Sequence, residues 1–221
     1  MSHKLLLENI LFGTKSIELY IPNPIDIKNQ YQKQISIDPE TPFPYWSQIW
    51  PAAIALSKFL EKQPCYIENK KVLELAAGLG LPSLVAAQVA KAVYCTDYLF
   101  DAVDAIKRSI LHNQFNNMSC GLLDWNNMPN PFPQADVVLM SDINYNPTDF
   151  ETIYSILSNF LKQGSTVILS TPQRLLAKPF VEQLMPWCSL KEEIEVNHLA
   201  AVVPITVMVL SKNRIISPAN T

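Results

Sequence analysis

The stretch VLELAAGLGLPSLV, residues 72–85, decides the fold. A short apolar run carries Glu74 near its end. A loop of small residues follows, and a helix-like segment starts behind Pro82. Small residues at Ala76, Ala77, Gly78 and Gly80 let a backbone come close to a ligand. The helix that follows would aim free N–H groups at that ligand. Against the dinucleotide fingerprint GxGxxG, Gly78-Leu79-Gly80 fits and the third position is Ser83. The carboxylate of Glu74, just before the loop, suits a cationic group better than a pyrophosphate.

Outward from this stretch, strands and helices alternate. Apolar runs at 71–75, 92–96, 119–123, 135–141 and 165–170 read as strands. Helices are expected at 50–61, 82–91, 100–114, 148–162 and around 173–185. The runs are continuous rather than alternating, as in parallel strands buried on both faces. The βαβαβ order argues for a doubly wound α/β sheet. Two further strand-like runs, 189–196 and 204–212, have only a loop between them, which predicts an antiparallel hairpin at one sheet edge. Residues 5–21 predict two strands with Gly13-Thr14 near a turn, and 22–48 an irregular connector bearing Phe43, Tyr45 and Trp46. The expected organisation is a hairpin and aromatic connector over 1–48 and a single α/β domain over 49–221.

Composition narrows the class. The chain has 221 residues, 48% of them hydrophobic, enough for one well-packed domain. A net charge of -3 gives no strong pull toward a nucleic-acid backbone, so no nucleic-acid partner is expected. Cys65, Cys95, Cys120 and Cys188 are scattered, as free thiols of a reducing compartment would be. His3, His112 and His198 lie far apart, and no metal site is expected. The first apolar run is too short for a signal peptide, and no run approaches a membrane span. The expectation is a cytoplasmic monomer.

Ligands of doubly wound sheets bind beyond the carboxyl ends of the strands. Four successive strand ends carry an acid: Glu74, Asp97, Asp124 and Asp142. Asp97 is placed to accept from ribose hydroxyls, or to cap the next helix. Asp124 suits an adenine amino group with Trp125 against the base; alternatively, Trp125 covers the core edge. Asp142, Asn144 and Tyr145 cluster at the central crevice, either as a functional loop or as an Asx-turn with a packed phenol.

The segments VLELAAGLGLPSLVAA, VYCTDY, LLDWN and DVVLMSDINYNPTDF, preceded by SQIWPAAIALSKFL, resemble the seven-strand S-adenosylmethionine-dependent methyltransferases, and more narrowly methyltransferase family 16. That family contains protein-lysine methyltransferases and nicotinamide N-methyltransferase-like members. The resemblance implies a seven-stranded Rossmann-like sheet. It implies that Trp50 borders the cofactor pocket, that Glu74 and the 76–80 loop hold the methionyl part, and that Asp97, with Tyr98 beside it, binds the ribose. Asp124 and Trp125 would flank adenine, Ser141 would line the pocket near sulfur, and Asp142 to Tyr145 would shape the acceptor site. Ala76 departs from the family's glycine. The implied activity is N-methylation of a protein lysine. The alternatives are a small amine or pyridine acceptor, a silent cofactor-binding module, and an NAD-binding oxidoreductase, which Glu74 and the Asp124-Trp125 pair argue against. Phe43, Tyr45 and Trp46 would form part of a lid, or pack as plain core.

Overall fold

The computed structural model describes residues 4–12, 15–199 and 201–212, so the expected Gly13-Thr14 turn lies outside the described residues. Strands β1 (Leu5–Phe12) and β2 (Lys15–Pro22) pair antiparallel as a sheet of their own. The connector is not irregular throughout. Helix α1 occupies Pro24–Ile37, with the Asn23 side chain accepting from the Ile25 and Asp26 N–H groups. A proline in the first turn and an acid at Asp26 complete a helix start. Only Ile27 of this helix is buried, so an apolar stripe, the usual helix signal, is missing from its sequence.

The main sheet holds seven strands. They are β3 (Lys71–Leu75), β4 (Ala92–Asp97), β5 (Met118–Leu122), β6 (Val137–Ser141), β7 (Thr166–Pro172), β8 (Cys188–His198) and β9 (Ala201–Leu210). Their spatial order is β5-β4-β3-β6-β7-β9-β8. Strands β3 to β7 run parallel, and β9 is antiparallel to both β7 and β8. The expected C-terminal hairpin is present, with its second strand inserted between β7 and the edge. Pro204, inside β9, pairs only with Glu195 of β8, beyond the end of β7, where its missing N–H breaks no inner ladder.

Helices α2 (Pro51–Lys62), α3 (Leu81–Ala86) and α4 (Phe100–Asn113) cover one face, and α5 (Phe150–Lys162) and α6 (Lys178–Leu184) the other. The side-chain period of two sorts each strand between these layers. Val72, Val137, Leu139 and Ile168 face α2 to α4; Leu73, Leu75, Val138, Met140, Val167 and Leu169 face α5 and α6. Helix α3 is much shorter than its expected 82–91. The expected helix at 173–185 is a seven-residue α6 between two 3-10 turns, because Pro179 and Pro186 set a start and a stop within it. No helix among the described residues is long and apolar enough to cross a membrane.

The hairpin rests on α4. Leu19 and Ile17 are buried in the same cluster as Ile106 and Ile110, and the Tyr20 N–H donates to Ser109 Oγ at 2.9 Å. Leu19→Ala should therefore lower unfolding stability by about 2–5 kcal/mol in a urea titration. The transition should remain single with an unchanged slope, which marks the hairpin as part of one cooperative unit with the sheet. A separate early transition would show it to be autonomous.

Candidate active site

Strand order reverses between β3 and β6, and the carboxyl ends there open a cavity of about 420 Å³. That volume lies in the range of pockets that enclose a nucleoside-sized ligand. Each strand end adds a part. Ala76, Ala77, Gly78 and Gly80 come from the loop after β3, and Asp97 and Tyr98 from the end of β4. Asp124 and Trp125 follow β5; Ser141, Asp142 and Tyr145 close and follow β6. Trp50 borders the cavity from the start of α2. These residues were expected at one site, and they share one wall.

The loop after β3 runs through the left-handed region three times, at Ala76 (φ 50°), Gly78 (φ 57°) and Gly80 (φ 70°). At Gly80 a side chain would also collide with the core, since a Cβ would stand 2.9 Å from Cys95 Sγ. Glycine there lets α3 approach β4. Ala76 has the same backbone requirement without glycine's freedom.

Asp97 ties this loop to the next. Its Oδ2 accepts from the Gly78 N–H at 2.9 Å and its Oδ1 from the Leu99 N–H at 3.0 Å. Both oxygens are engaged by backbone donors, and the residue still lines the cavity. Burial pushes this carboxyl above its ordinary range, and the backbone donors pull it back. Asp124 Oδ1 accepts from the Asn126 N–H at 2.9 Å, so it also acts as a turn cap.

Two expected residues do not reach the wall. Glu74 is fully buried, with Oε2 accepting from the Ser83 N–H at 3.0 Å and facing Cys95 Sγ at 3.8 Å. It points to the α3 side because it shares the face of Val72, two residues before it. The expected contact of Glu74 with a cationic ligand group is therefore corrected to an anchor for the start of α3. Burial raises its pKa from 4.5 to about 8. Asn144 is also buried; its Oδ1 accepts from Thr171 Oγ1 at 2.7 Å, so it braces the ends of β6 and β7 from behind the cavity.

Other wall residues carried no expectation. Arg174, after β7, pairs with Asp142 Oδ1. Asp149 and Leu99 also face the cavity. A lone arginine after a strand has no sequence signature; only the sheet brings it across 32 positions to Asp142. The connector divides its aromatics. Trp46 is buried in the core, whereas Phe43 and Tyr45 are exposed at the mouth. Tyr45 packs on Phe43 (5.1 Å between ring centres), Trp50 (5.8 Å) and Tyr145 (5.2 Å). The Trp50 indole N–H donates to the Tyr45 carbonyl at 2.7 Å, which fixes this cluster over the site.

The wall carries four carboxylates, Asp97, Asp124, Asp142 and Asp149, against one guanidinium. That balance favours a cationic ligand and disfavours a pyrophosphate. A buried carboxylate at Asp97, an indole at Trp125 and a glycine-lined approach fit a nucleoside bearing a sulfonium. The fold and wall are those of a class I, S-adenosylmethionine-dependent methyltransferase.

Comparison with known proteins gives the family. The family model described as lysine methyltransferase matches residues 29–186, and the chain belongs to that family. The chain is 26% identical over 159 residues to the protein N-lysine methyltransferase METTL21A of Xenopus tropicalis, covering 70% of this chain and 69% of that one. It is 29% identical over 128 residues to the human histone-arginine methyltransferase METTL23, covering 55% of this chain and 66% of that one. Against the other METTL23 relatives it matches, it spans little more than half their length. Among solved structures, a putative RNA methyltransferase from Pyrococcus horikoshii superposes with a TM-score of 0.58 at 19% identity, over 82% of this chain and 96% of that chain, which supports the fold.

Two outcomes follow from the geometry behind the wall. Between pH 4.5 and about 8 the folded chain keeps a proton on Glu74 that the unfolded chain has released. Stability therefore falls as pH rises through that window, by at most ~1.4 kcal/mol per pH unit. Glu74→Gln should flatten that decline in urea titrations run across the window, and an unchanged slope would reassign it. Ala76→Gly relieves a left-handed alanine worth about 1–2 kcal/mol and adds about 0.4–1 kcal/mol of unfolded-chain entropy. The thermal midpoint should rise by about 2 °C; a fall would show that the methyl group packs favourably.

Proposed function

We propose that this protein transfers a methyl group from S-adenosylmethionine to the side-chain nitrogen of a lysine in a protein acceptor. The observation that carries the reading is the form of the acceptor end. Asp142 and Tyr145 stand at the cavity wall under a mouth of half-exposed rings, Phe43, Tyr45 and Tyr145. An open aromatic mouth admits a long side chain while its backbone stays outside. The name of the METTL21A relative and the family description support a lysine acceptor. The METTL23 relatives, named for arginine, supply the second reading.

When bound, the donor supplies a sulfonium-linked methyl group that a nitrogen lone pair can displace in line. The chain's own residues hold and orient. Asp97 takes the ribose hydroxyls while keeping both loops in place. Asp124 and Trp125 embrace the base, Trp50 closes the pocket beside the Tyr45 carbonyl, and Ser141 lines the wall beside the reacting centre. Tyr145, beside Tyr45, offers a π face to the acceptor cation before it loses its proton. Burial raises the Tyr145 phenol, which keeps it neutral in this role. Positioning of this kind supplies large effective molarities with no covalent enzyme intermediate. The four cysteines are free, which fits a reducing, cytoplasmic setting.

Tritiated-methyl labelling of a lysate, followed by acid hydrolysis, tests the acceptor. Methyl-lysine is the expected product; methyl-arginine or label in small molecules alone overturns it. Asp97→Ala should weaken donor binding at least tenfold in titration calorimetry, from the loss of charge-assisted bonds worth about 1.5–3 kcal/mol each. Unchanged donor affinity would remove Asp97 from the site.

A further inference from the structure

The acceptor end of the cavity contains an ion pair that the proposed lysine chemistry does not require. Arg174 Nη1 donates to Asp142 Oδ1, with the Asp142 side chain 11% exposed and that of Arg174 35% exposed. Asp142 is held for this contact. Its backbone stands in the left-handed region at φ 56°, and its N–H donates to the Ser170 carbonyl at 2.9 Å. Arg174 opens a turn whose next two residues, Leu175 and Leu176, stand in solvent, while Ala177 is buried and anchors its end. Of this turn, Arg174 lines the cavity, and Leu175, Leu176 and Ala177 do not.

The charges around the pair make its role specific. Asp149 and Tyr145 face this end from the connection after β6, Tyr45 from the aromatic connector, and Asp97 and Tyr98 from the end of β4. Without a local cation, Asp142 and Asp149 would hold an incoming ammonium in its charged form, since a nearby carboxylate favours the protonated amine. A protonated amine has no lone pair. In the transfer the nitrogen lone pair forms the C–N bond as the C–S bond breaks, and the sulfur keeps the bonding electrons. The proton left on nitrogen goes to solvent.

We propose that Arg174 is a specificity-determining residue of the acceptor site. By pairing with Asp142 it cancels that carboxylate's pull on an ammonium, so that a lysine side chain is held as the neutral amine. This inference rests on the lysine reading, and it assigns Arg174 a positioning role in the charge balance rather than a contact with the reacting atoms.

The test combines binding and a pH profile. The probe is Nα-acetyl-lysine methylamide, titrated at neutral pH into the full chain saturated with S-adenosylhomocysteine. Arg174→Gln should bind this cation about tenfold more tightly than wild type, one pH unit of amine ionisation being a factor of ten. The acid limb of protein labelling should move up by about one pH unit in the same variant. Arg174→Lys should restore both. Asp142→Asn, which leaves the guanidinium without its counter-charge, should weaken probe binding and move the limb downward. It keeps the proposal falsifiable if Arg174→Gln does not fold. Equal probe affinity in wild type and Arg174→Gln, or a fall in labelling with an unmoved limb, overturns the proposal. Label recovered on arginine or in small molecules overturns the lysine assignment instead, and the probe comparison then decides the pairing role by itself.

Discussion

The carboxylate of Asp97 is the constraint on which the donor end of the molecule depends. It is almost fully buried at the end of β4, and its two oxygens accept backbone N–H groups from two different loops. The same junction is closed by the Ala77 N–H on the Thr96 carbonyl at 2.9 Å and by Thr96 Oγ1 on the Glu74 carbonyl at 2.7 Å. The loops after β3 and β4 are therefore fixed relative to each other by the protein alone. A ligand that meets Asp97 finds a site already ordered, and little binding energy goes into loop ordering.

Glu74 supports this arrangement from behind. A buried carboxyl with one unpartnered oxygen is an unfavourable group unless it stays protonated or gains a donor. Its neighbours explain why it is kept. It holds the Ser83 N–H at the start of α3, a helix of six residues that could not stand alone. That helix carries the loop with three left-handed residues over the cavity. Local strain at Ala76 and the cost of burying Glu74 are met by packing of α3, fully buried between β4 and α2.

The sequence was legible where a feature is local and periodic. The parallel strands showed as continuous apolar runs, and their terminal acids stood out because four successive ends carried one. What hid was of three kinds. Helix α1 lacks an apolar stripe, and its capping by Asn23 was masked by a composition rich in turn residues. The directions of Glu74 and Asn144 were hidden because a motif gives position along the chain, while the face is set by pleat and loop geometry. Arg174 was invisible for a third reason. Its meaning lies in a contact with Asp142 that exists only once β6 and β7 lie side by side.

The two ends of the cavity are built differently, and this bears on acceptor choice. The donor end is made of buried strand ends, glycines and Asp97. The acceptor end is made of exposed rings, an ion pair and the turn after β7. Relatives named for lysine and for arginine are similar to this chain at nearly the same identity, 26% and 29%. The family description names lysine, while identity alone does not separate the two named acceptors. A change in the acceptor must then be written in few side chains that leave the donor cradle untouched. Phe43, Tyr45, Tyr145 and Arg174 are such positions, since they sit at the mouth and none takes part in the hydrogen bonds that join β3 to β4. In the proposed reading Asp142 would meet any basic acceptor, and the cation beside it would set the protonation state in which that acceptor is held.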